Sequence, residues 1–296
     1  MSSRKHIVLL GTIALLSLVA LIVFGCSSND DARPTITVTP EDDGGLAIVQ
    51  AEIDVVVDST LEFLLAGFNT MAQIPVVENP PDTGEPGDVI IVPVQYGPSL
   101  GDSVVAAYTY IGGWHVLAMA ADFQTYAASF TDSVQFRNVN GYIEATPEHA
   151  DAISFRHYWD VAATDTVITH GNLSGAVSFE CQHLLSNLAV FNGTVAWNAD
   201  KKFVLEDYTS WVDVSINSTY TNLSIARTAS GWSQSCPISG SVSATLELTR
   251  TKTNEDPITT NWRVTLNFDD GMMYANYELV GGDVTSWSEQ VCVSSN

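Results

Sequence analysis

Gly97-Pro98-Ser99-Leu100-Gly101 has the G-x-S-x-G spacing of a nucleophile elbow. That motif works where a sharp strand-to-helix turn lifts a serine oxygen beside backbone amides. The apolar run Val89 to Val94 supplies a strand, but proline sits inside the elbow and no helical pattern follows. The segment therefore reads as a proline-glycine loop, with no catalytic role for Ser99. Cys181 and His183 lie two apart in a strand-like run, which puts them on one face, and thiolate with imidazole suits zinc. A zinc site needs three or four ligands, and His115, His149, His157 and His170 fall at no ligand spacing. Glu148-His149 belongs to no H-E-x-x-H, and Asp42-Asp43 and Asp269-Asp270 to no calcium loop. The expectation is a chain that is not an enzyme, with no cofactor and no metal.

Charge narrows the partners. The 296 residues carry 11 Lys+Arg against 34 Asp+Glu, a net charge of -23, and the adjacent basic pairs are Arg4-Lys5 and Lys201-Lys202. Neutralising phosphates takes clustered cations, so no nucleic-acid partner is expected. At 46% hydrophobic the chain has the composition of a folded protein.

Strands are the elements that must position any site. Ile153, Phe155, His157, Trp159 and Val161 alternate with Ser154, Arg156, Tyr158 and Asp160, the period of a strand with unlike faces. Similar runs occur at Tyr126 to Phe136, Thr166 to Phe179, Leu188 to Trp197, Phe203 to Ile216, Val242 to Thr249, Trp262 to Phe268 and Met273 to Val280. Turn signals separate them at Asn140-Gly141, Asn198-Ala199-Asp200, Asp270-Gly271 and Gly281-Gly282-Asp283. Short links favour an antiparallel meander over parallel crossovers. Gly175, Gly193 and Gly240 recur in one context, apolar-polar-Gly-small-Val-small, and glycine inside a strand marks a bend that lets a sheet curl. The expected class is mainly β: a curved antiparallel meander or partial barrel with one long N-terminal amphipathic helix.

That helix spans Leu46 to about Met71. Gln50, Asp54, Asp58 and Glu62 recur four apart, with Val49, Ile53, Val56, Val57, Leu61, Leu64, Leu65 and Phe68 between them. Such spacing holds the polar groups to one narrow stripe and leaves a wide apolar face. Thr39-Pro40-Glu41-Asp42 is a helix-start signal. Prolines and glycines crowd residues 74–102, a connector with at most a short strand at Val89 to Val92.

At the N-terminus, Arg4-Lys5 precedes an uncharged run from Ile7 to Val23 and then Phe24-Gly25-Cys26. This is the layout of an export signal. The segment Val23-Phe24-Gly25-Cys26 resembles the lipobox of bacterial lipoprotein precursors, although Phe24 stands where that pattern usually has a small residue. The resemblance covers residues 1–26 and implies cleavage before Cys26, acylation of its thiol and an extracytoplasmic, lipid-anchored body in the cell envelope. The implied organisation is signal peptide 1–25, tether 26–40, helix 41–73, connector 74–102 and antiparallel β domain 103–296. Of the other three cysteines, Cys236 with Cys292 is the preferred disulfide, and three buried thiols including Cys181 are the alternative. The leading functional expectation is non-enzymatic binding of an amphiphilic or lipidic ligand between helix and sheet. The alternative is a surface structural or protein-interaction module without a pocket, with an envelope protein as its partner.

Overall fold

The computed structural model describes residues 45, 46, 48–54, 56, 57, 60, 90–94, 103–122, 126–145, 147–163, 170–204, 209–227, 237–270, 272–282 and 284–290. Strands occupy β1 (Ile90–Val94), β2 (Ser103–Ile111), β3 (Trp114–Asp122), β4 (Tyr126–Arg137), β5 (Ile143–Glu144), β6 (Ala152–Ala163), β7 (His170–Gln182) and β8 (Leu188–Val204). They continue as β9 (Thr209–Ala226), β10 (Pro237–Lys252), β11 (Ile258–Asp269), β12 (Met272–Leu279) and β13 (Val284–Gln290). Each pairs antiparallel with its neighbour in sequence, except that β4 passes to β6 while the short β5 folds back on the end of β4. The result is one open antiparallel meander.

Alternation fixes which face is which. On β10, Val242, Ala244, Leu246 and Leu248 are buried while Ser243, Thr245 and Glu247 are exposed. On β11, Trp262, Val264, Leu266 and Phe268 are buried against exposed Arg263, Thr265 and Asn267. A slip of one residue would turn either set out to water, so burial locks the register. Tight glycine turns close two of the hairpins. Ile111 pairs with Trp114 across Gly112-Gly113, whose φ angles of 58° and 81° are those a two-residue I′ turn demands. At Asn140-Gly141, Asn138 Oδ1 accepts from the amides of Asn140 and Tyr142 at 3.0 and 3.1 Å.

Two of the three recurrent glycines mark irregularities. Register shifts occur between Phe191 and Gly193 against β9, and between Ser239 and Ser241, where Gly240 has φ 111°. Asn222, at φ 48°, bridges the two sites and its amide donates to Asn192 Oδ1 at 2.8 Å. Gly175 keeps regular register and serves a different end, the close approach of a ring.

Several sequence expectations change. The strand expected to stop at Trp197 runs on to Val204, so Asn198-Ala199-Asp200 is strand and not a turn. The reason is packing: Ala199 is buried on the apolar face between Leu173 and Val214. Asp200 is held on the opposite face, where Asn172 Nδ2 donates to its carboxylate at 3.0 Å. The strand in the connector is Ile90–Val94, and it joins the sheet as the partner of β2. Residues 46, 48–54, 56, 57 and 60 are helical, and the longest unbroken described stretch is the seven residues 48–54. The rest of the helix expected to Met71, its start signal at Thr39-Pro40 and the signal peptide and tether lie outside the described residues. Within the described helix Val49, Ile53, Val56 and Val57 are buried in the same apolar core as the sheet, the i, i+4, i+7, i+8 stripe of an amphipathic helix. Gly45 sits against Leu248 and Arg250, and a Cβ there would come within 2.7 Å of the leucine.

Candidate functional site

The cross-strand registers arrange the apolar face in rows. The middle row runs Leu117, Asp132, His157, Val177, Val195, Ser218 from β3 to β9. One row to one side are Met119, Phe130, Trp159, Gly175, Trp197 and Ile216. One row to the other are Val134, Phe155, Phe179, Gly193, Tyr220 and Val242.

Asp132 and His157 interrupt the middle row with charge-bearing groups. They lie directly opposite on β4 and β6, and His157 Nδ1 makes a short hydrogen bond to Asp132 Oδ1. A carboxylate only accepts, so the imidazole proton on this side is on Nδ1. The His157 side chain is 4% exposed and that of Asp132 15%. The imidazole stacks on Trp159 at 5.1 Å between ring centroids, with Phe130 and Phe155 beyond at 6.3 and 6.4 Å. An ionisable pair in such a setting is tolerable because each partner satisfies the other, and removing either one leaves a desolvated polar group.

Beside the pair two indoles share one space. Trp159 meets Trp197 edge to face at 5.7 Å, and Gly175, on the strand between them, makes this approach feasible. A Cβ on Gly175 would lie 2.1 Å from Trp159 Cζ2 and 2.5 Å from the Ala196 carbonyl. Both indole Nε1 atoms are buried without a hydrogen-bond partner among the described residues. A buried unsatisfied donor costs about 1–3 kcal/mol, and each indole N–H here can still donate one hydrogen bond.

His115, on β3, packs between Tyr110 at 4.7 Å and Phe136 at 5.5 Å. Burial lowers its pKa below the ordinary 6.5, partly offset by a hydrogen bond with the backbone at Ala145. On the opposite face, burial and then the charge of Asp200 raise the pKa of Asp213.

Cys181 and His183 do not share a face. β7 ends at Gln182, and His183 leaves the strand with φ 66°. The Cys181 thiol is free and buried, and burial, then the charge of Asp151, raises its pKa. His183 is exposed, 3.9 Å from Asp151 Oδ2. Glu148 and His149 stand exposed in the short 3-10 turn Pro147–His149. No group of three or more metal-capable side chains occurs among the described residues. Cys26, Ser99, Cys236 and Cys292 lie outside the described residues.

The Asp132–His157 pair was not foreseen, though half its signal was legible. In the alternation Ala128, Phe130, Asp132, Val134, Phe136, an acid occupies an apolar-face position and calls for a buried partner. Its partner is 25 residues away, and the β4–β6 register alone brings them together. No protein family, curated protein or solved structure matches this chain.

Proposed function

We propose that the chain is an exported lipoprotein, anchored to a membrane through acylated Cys26, which binds an amphiphilic or lipidic ligand without catalysing a reaction. In this reading the sheet curls into a partial barrel and the helix from Leu46 to about Met71 lies against its concave side. A sheet apolar on one face must hide that face, and curling with a helix inside is an economical way to do so. The bulges beside Gly193 and Gly240 and the buried stripe Val49, Ile53, Val56 and Val57 support it.

The observation that carries the ligand reading is the pair of unpartnered indole donors of Trp159 and Trp197, lodged in an apolar wall beside Asp132 and His157. An acyl chain suits the wall and a carbonyl or ester oxygen suits the donors. The test is titration of the full-length protein in detergent with cis-parinaric acid, read by energy transfer from tryptophan. Saturable transfer that falls several-fold in Trp159→Phe is expected, and non-saturable transfer equal in both proteins would sink the ligand reading. For the anchor, labelled palmitate should enter the wild type and not Cys26→Ser. The second reading, a pocketless interaction module, has its support in Trp211 and Tyr274, each 47% exposed on the outer face. Native mass spectrometry that finds the protein empty, with an envelope protein attached, would favour it.

A further inference from the structure

The opposite face of the same strands carries a second feature. A depression of about 360 Å³ lies on β4, β6, β7 and β8 around Gly175, bordered mostly by residues of the outer face and also by Phe130 and Trp159 of the apolar rows. Register defines it. One outer row runs Thr131, Tyr158, Ala176, Ala196, and the next contains Asp160, Ser174 and Asn198. Small side chains on β7 and β8 make the floor, and Tyr158, Asp160, Asn198 and Thr131 stand around it. Strands lie about 4.8 Å apart, so the hollow is about 14 Å long across four strands, room for two hexose rings in line.

Its chemistry is that of a polyhydroxylated, uncharged molecule. Tyr158 is 49% exposed although it sits mid-strand, offering a ring to the apolar face of a sugar. Asp160 and Asn198 offer planar groups that can take adjacent hydroxyls, and Thr131 and Ser174 add single hydroxyls. No hydrogen bond or ion pair among the described residues engages the side chains of Tyr158, Asp160, Asn198 or Thr131. Arg156, one row away, is committed to the Trp114 ring at 4.4 Å from its centroid. An anion would meet Asp160 on a chain of net charge -23. A quaternary ammonium would find the ring and the carboxylate, but could use none of the three neutral hydrogen-bonding side chains.

We infer that this outer hollow, with Tyr158 as platform and Asp160 and Asn198 as hydroxyl clamps, is a binding site for a neutral oligosaccharide. Its platform and hydroxyl clamps belong to the other face of the sheet from the proposed amphiphile site, and Trp159 borders both.

The experiment is saturation-transfer NMR on the full-length protein in a sugar-free detergent, with cellobiose and maltose as probes and choline as the cationic competitor. The titration is set for a dissociation constant of about 1 mM. At least one disaccharide is expected to bind, Tyr158→Phe to retain it, and Tyr158→Ala and Asp160→Ala each to weaken it about tenfold or more. Binding of neither disaccharide up to about 10 mM, equal binding by Tyr158→Ala, or displacement by equimolar choline would overturn the assignment. Transfer to cis-parinaric acid, measured with and without disaccharide, reads the inner face separately, so loss of one activity leaves the other standing.

Discussion

The two halves of the inner face differ in how completely they are filled. Over β9–β12 the buried side chains are mostly aliphatic or tyrosyl, with no ionisable acid or histidine among them, and Ile216, Tyr220, Leu223, Leu248 and Tyr277 are at most 1% exposed. Over β3–β6 the same face carries His115, Asp132 and His157, and Val134 and Val161 are only partly buried. One half is packed as a core, and the other is a wall with polar fittings. A protein that needed only stability would have little reason to put an acid, two histidines and an unsatisfied indole on that wall. The lesson is that the most completely buried part of the face lies on β9–β12, while its acid and its two histidines gather on β3–β6.

That contrast can be broken by substitution. Ile216→Ala should cost about 2–5 kcal/mol, because a fully buried aliphatic group is lost and a cavity left behind. Val134→Ala should cost less than about 1.5 kcal/mol, since the residue is only partly buried. Urea midpoints of the two variants check this, and equal losses would mean that the halves are packed alike.

A smaller effect sharpens the account of the wall. Gly175→Ala forces a methyl against the Trp159 ring and the Ala196 carbonyl, for an expected loss of about 1–3 kcal/mol. Because Trp159 must move, the near-ultraviolet circular dichroism of the tryptophans should change too, whereas simple loss of stability would leave the native spectrum unaltered.

Smallest of all is a pH effect confined to the same half. His115 has its pKa lowered by burial, so the unfolded chain takes up a proton more readily than the folded one. The stability linked to His115 is therefore complete above its ordinary value of 6.5 and is lost as pH falls from there through the lower folded value. Thermal melts across this window should show the decline, and His115→Phe should flatten it. The segments β9 to β12 contain no histidine, so the core half contributes no histidine term.

Much of this architecture could be read from the chain. The alternation Ile153, Phe155, His157, Trp159 puts His157 on the apolar face, and the short turns favour an antiparallel meander, though the strand order itself came from the structure. Reading failed where local signals were overruled. Asn198-Ala199-Asp200 has turn composition, yet two flanking strands hold it extended, and His183 looked like the next strand residue until its positive φ turned it outward. The Asp132–His157 pair, the Trp159–Trp197 contact over Gly175 and the outer hollow were invisible for one reason. Each joins residues on different strands, and nothing within one strand states its register against the next.

The sequence alone therefore decided which face of most strands is apolar and the sign of the charge, because those follow from local period and composition. Only the tertiary structure decided which inward residues meet. Strand pairing is settled by burial summed over whole strands, and a shift of two residues would keep every side chain on its proper face while giving His157 a different partner.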